Sequence, residues 1–116
     1  MTAREEIAAA ASTVDGVEVF PEYAHVTTPG QGYVTWLRTE YPNGLGGEDY
    51  WGVVITLPTD TAAAQAWVAE HLGPLWKALR KSRCMTVTGA RPDVDLPTDN
   101  QAQKVLIIEG HRESEE

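Results

Sequence analysis

A few residues in this chain are of types that can do chemistry, and their spacing decides what each could do. His25, His71 and His111 could serve as bases or metal ligands, but they are scattered along the chain. The nearest carboxylate to His71 is Glu70, adjacent in sequence and so about 100° round a helix. All three are read as surface or packed histidines. Cys84 follows a basic cluster, and cations can lower a thiol pKa; it is read instead as a small apolar side chain in a sheet. Asp93, Asp95 and Asp99 suggest a cation loop, but the EF-hand spacing lacks its fifth, sixth and twelfth ligand or turn positions. They are read as a solvated loop. Gly44-Leu45-Gly46-Gly47 could cradle a phosphate ahead of a helix, yet a strand pattern follows it. No Walker loop, H-E-x-x-H, C-x-x-C or G-x-S-x-G is present. The expectation is a non-enzyme, with no catalytic residue, no cofactor and no metal.

Residues suited to contact are easier to find. Lys77, Arg80, Lys81 and Arg83 place four of the nine basic residues within seven positions. They complement the negative end of a helix dipole. A second use is an electrostatic contact between copies, against acidic stretches such as Glu48-Asp49 or Asp93 to Asp99. Direct DNA binding ranks third, since no base-reading set accompanies the patch. Gly44, Leu45 and Gly46 form a hairpin tip, either simply flexible or ordering against a partner. Trp36 lies on the polar-looking side of its strand, so it sits under a second layer or at an interface.

These residues need elements to hold them. The 116 residues fit one domain, 1–116. Seventeen Asp and Glu against nine Lys and Arg give a net charge of −8, which disfavours a broad nucleic-acid surface. A hydrophobic content of 42% suits a folded core. The single cysteine excludes an internal disulfide and points to a reducing compartment. No signal-type apolar segment and no run near the roughly 20 residues that span a bilayer is seen, so a soluble chain made in the cytoplasm, with no membrane partner, is expected.

Thr2-Ala3-Arg4-Glu5 has the form of a capping box, and Ile7, Ala11 and Val14 make a narrow helical stripe ended by Asp15-Gly16. Val17, Val19 and Phe20 are briefly extended. Alternation over 33–41 and 48–57 predicts an antiparallel hairpin, with Trp36, Arg38 and Glu40 on one side of the first strand and Asp49, Trp51, Val53, Ile55 and Leu57 on one side of the second. Ala64, Val68, Leu72, Leu75 and Leu79 step as a helix, flanked by Trp67 and Trp76 on its buried side, with a kink or break at Pro74. Residues 84–88 and 105–109 read as strands, 89–103 as a loop and 110–116 as a frayed charged tail. The order α-β-β-β-α-β-β implies an α+β fold: a mostly antiparallel sheet of four or five strands with both helices on one face.

The order of elements and four segments carry a resemblance. They are the Asp15-Gly16-Val17 turn, the run Asp49-Tyr50-Trp51-Gly52-Val53-Val54-Ile55-Thr56-Leu57-Pro58, the Ala- and Trp-rich helix after it, and Ile107-Ile108-Glu109-Gly110. Over roughly residues 2–112 the chain resembles the tail terminator proteins of long-tailed actinobacterial phages, similar in turn to the gene-U-type minor tail proteins. The resemblance implies a structural virion protein of the tail-neck region, assembled in the host cytoplasm. It would form a homo-oligomeric ring, a hexamer in that family, which caps the completed tail tube. Its partners would be further copies of itself, the tail tube protein and the head–tail connector protein, with DNA passing through unbound. No individual functional residue is carried over. Alternative readings are another head–tail neck protein (head-completion or connector), or a small host-directed regulator that binds a protein partner.

Overall fold

The structure is a computed structural model that describes residues 2–42, 44, 46–97 and 102–114, with the backbone alone at 93, 97 and 102. Helix α1 (Ala3–Ala11) begins at the expected capping box. The Thr2 hydroxyl accepts from the Glu5 amide at 3.2 Å, and the Glu5 carboxylate accepts from the Thr2 amide at 3.0 Å. Gly16 turns the chain in the left-handed region, φ 80°, into β1 (Glu18–Phe20). Strands β2 (Gln31–Glu40) and β3 (Glu48–Thr56) form the hairpin, α2 (Thr61–Ser82) follows, and β4 (Thr86–Pro97) and β5 (Ala102–Glu113) complete the chain.

Among the described residues five strands lie in the order β1-β2-β3-β5-β4. Only β1 and β2 pair in parallel; every other neighbour is antiparallel. The fold is α+β, with both helices packed on the sheet. Register sets the core. Val34 stands opposite Val53 and Val53 opposite Ile108, while Ile55 stands opposite Leu106. These join Ile7 and Ala11 of α1 and Ala64, Val68, Leu75 and Leu79 of α2 in one buried cluster. Helix α1 lies over β1 and β2, and α2 over β4. Fully burying a side chain such as Leu75 or Leu79 stabilises the fold by about 1.5–3 kcal/mol.

The opposite sheet face has a smaller core of Val54, Val105 and Ile107, with Tyr33, Val94 and Leu96 against it. The segment after β1 covers it: Tyr23 meets Tyr33 edge-on at 5.0 Å, and Gln103 donates to the Val26 carbonyl at 3.0 Å. Gly30 holds this crossing, since its φ is 93° and an added Cβ would stand 2.1 Å from the Gly16 carbonyl oxygen.

Several expectations are corrected. Residues 89–97 and 102–103 are strand, not loop, and the charged stretch 110–113 continues β5. Cross-strand pairing to an apolar β5 outweighs the low strand propensity of Gly89, Pro92 and Asp95. Register shifts between Val87 and Gly89 and between Arg91 and Val94 absorb the residues that do not fit the ladder. Helix α2 runs through Pro74 without ending. Gly73 and Pro74 lie on its exposed side, where water can satisfy the Glu70 carbonyl that Pro74 leaves without a donor. Trp76, expected on the buried side, is 41% exposed.

Candidate functional site

The hairpin alternation breaks at one residue, and that break builds the most distinctive surface. Trp36 stands opposite Trp51, but the next pair is Arg38 with Tyr50, so Leu37 is an extra residue in β2. A one-residue slip reverses the faces beyond it. Arg38 therefore moves to the far side, where its guanidinium sits 4.0 Å from the centre of the Tyr50 ring and pairs with Glu40 at 2.6 Å. Thr39, opposite Asp49, takes the Trp36 side in its place. The expected grouping of Trp36 with Arg38 is thus corrected.

A groove of about 440 Å³ results, walled by Trp36, Thr39, Tyr41, Asp49, Trp51 and the first turn of α1. Trp36 is 55% and Tyr41 60% exposed, so no second layer covers Trp36. Its indole is nonetheless fixed. Nε1 donates to the Arg38 carbonyl and to the Thr39 hydroxyl, both at 3.1 Å, and that hydroxyl donates to Asp49 Oδ1 at 2.6 Å. Trp51 forms the floor. Its ring lies 6.4 Å from that of Trp36, and the Arg4 guanidinium stands 5.2 Å from its centre. Arg4 is otherwise occupied with the carbonyls of Pro21 and Val34, at 3.3 and 3.1 Å. Glu22 and Asp49 also line the groove, and neither forms an ion pair among the described residues.

The basic cluster lies at the end of α2, and the structure divides it. Lys77 and Lys81 line a shallow depression with Asp15, Glu70 and His71, while Arg80 and Arg83 line one with Trp76, Met85 and Thr86. Arg80 lies 5.2 Å over the Trp76 ring. Arg83 caps α2 in the left-handed conformation, φ 57°. Among the described residues none of these four cations has an ion pair, while Arg38, Arg91, Lys104 and Arg112 pair with Glu40, Glu109, Asp95 and Glu6.

The other singled-out residues lie apart. His71 donates through Nδ1 to the Trp67 carbonyl at 2.8 Å and stacks on the Trp67 ring. His111 contacts Glu48 at 3.0 Å, and His25 is exposed in the covering segment. Cys84 is buried just before β4, and burial pushes its thiol above the ordinary range. Asp95 contacts Lys104 at 3.4 Å, and Asp99 lies outside the described residues. Gly44 and Gly46 face open space at the hairpin tip; Leu45 lies outside the described residues. Among the described residues no three His, Cys, Asp or Glu side chains gather where a metal could be held.

Of the groove, sequence reasoning picked out Trp36 and, separately, Asp49. Tyr41 and Glu22 gave no signal, because their place depends on the Leu37 bulge and on the covering segment.

No protein-family model and no curated protein matches this chain.

Proposed function

We propose that this protein works as a building block of a closed ring, a tail terminator that ends a phage tail tube and joins it to the head connector. A closed ring needs two different, complementary patches on one subunit, so that head-to-tail contacts repeat around an axis. One observation carries the reading. The groove lined by Trp36, Tyr41, Glu22 and Asp49 lies beside β2 and β3, and Arg80 and Arg83, which have no ion pair among the described residues, line a separate depression beside β4 and β5. Glu22 and Asp49 outnumber Arg4 in the first, while Arg80, Arg83 and Arg112 outnumber Glu113 in the second, and each carries an exposed aromatic, the residue type enriched at binding hot spots. The resemblance of segments 15–17, 49–58 and 107–110 to tail terminators supplies the setting. A net charge of −8 suits a lumen that a DNA duplex crosses without sticking. Gold-labelled antibody against the chain, applied to intact particles and viewed by electron microscopy, tests the setting. Label at the head-proximal end of the tail is expected. Label on the portal side would favour a connector role, and particles without label would favour the host-directed regulator.

A further inference from the structure

We infer that the groove between Trp36, Tyr41 and Trp51 receives the last turns of α2 from a neighbouring copy, with the Arg80 and Arg83 guanidinium groups directed at Glu22 and Asp49. This rests on the ring reading and names the contact that makes the ring.

The acidic stretches first matched to the basic helix end are narrowed by the structure. Glu48 contacts His111 and Asp95 contacts Lys104, while the Asp93 side chain and Asp99 lie outside the described residues. Asp49 keeps one oxygen for Thr39 and has no cation among the described residues, and Glu22 has none either. Both stand beside exposed aromatic faces, and a guanidinium can use an aromatic face and a carboxylate at once. Arg4 lines the same groove but is committed to two backbone carbonyls and the Trp51 ring, so it does not neutralise these carboxylates by contact. Arg80 already lies over its own Trp76, 5.2 Å from the ring centre, and lines the same depression as Arg83. Lys77 and Lys81 face a different depression that holds Asp15 and Glu70, so they are not the pair that enters the groove.

A charge swap tests this in the full chain. One variant carries Arg80→Glu with Arg83→Asn, asparagine being tolerated in the left-handed backbone at 83. The other carries Glu22→Lys with Asp49→Asn, which keeps the acceptor for Thr39. Circular dichroism melting checks that each is folded, and light scattering measures mass against concentration. Each variant alone should associate at least about tenfold more weakly than wild type. A one-to-one mixture should recover assembly, because each altered face then meets its altered complement. If wild type forms rings and both variants assemble as well as it does, the contact is overturned while the ring stands. If both variants fail alone and the mixture also fails, these two faces do not meet. A wild-type chain that never leaves the monomer overturns ring and contact together.

Discussion

Trp36 and Leu79 show how one large apolar side chain can serve the fold and another the surface. Leu79 is fully buried between helix and sheet, so Leu79→Ala should cost about 2–5 kcal/mol, read as a lower urea midpoint with an unchanged slope. Trp36 is more than half exposed and held by two hydrogen bonds. Trp36→Ala should lower monomer stability by no more than about 1 kcal/mol, yet weaken self-association by about 2 kcal/mol or more, as loss of an aromatic anchor does. Equal effects on both would mean that Trp36 is only a packing residue. Two titrating groups also speak at this scale. Burial raises the Cys84 thiol, so its contribution to stability is complete below the ordinary thiol pKa and falls as pH rises through the folded value. Native protein should therefore react with a thiol reagent far more slowly than unfolded protein at pH 8; equal rates would show the thiol to be open. The amide of Thr2 holds the Glu5 carboxyl below its ordinary 4.5, so its contribution is present above that pH and lost as pH falls through the folded value. Glu5→Gln should flatten that part of an acid unfolding curve.

At the scale of elements, caps and crossings do the positioning. Asp60 accepts from the Ala63 amide at 2.9 Å at the start of α2, and Asp60→Ala should cost about 1 kcal/mol in thermal unfolding. Gly30→Ala should cost more than this cap, because its backbone is left-handed and its Cβ would meet the Gly16 carbonyl. A melting temperature unchanged by Gly30→Ala would remove the crossing from the account. The elements with local signals were legible in the chain: the capping box before α1, the four- and three-residue steps of α2, and the alternation of β2 and β3. So was the one-sided placement of the helices. The 22 residues of α2 hide their Pro74 because the interruption falls on the wet side. The strand character of 89–97 comes from pairing with β5, a non-local effect that propensity does not record. The bulge at Leu37 was hidden for a similar reason, since a single unpaired residue looks like continued alternation. With it went the groove: Trp36 and Asp49 could each be singled out, but not their meeting or the Tyr41 and Glu22 beside them.

On the scale of the whole molecule, an acidic subunit carries an exposed aromatic groove beside β2 and β3 and, among the described residues, cations without an ion pair at the end of α2. Such a pair of surfaces favours orderly head-to-tail contact over indiscriminate clumping, because like faces repel. Contacts of this kind are screened by salt, so raising ionic strength from about 0.05 M to about 0.5 M should shift assembly toward monomer. Salt that strengthens association instead would point to a purely apolar contact. The most direct measurement is native mass spectrometry of the purified chain at rising concentration in a low-salt volatile buffer. One discrete closed oligomer is expected, of six copies as the resemblance implies, with no open-ended series of larger species. A monomer at every concentration, or an unbroken ladder of sizes, would contradict it.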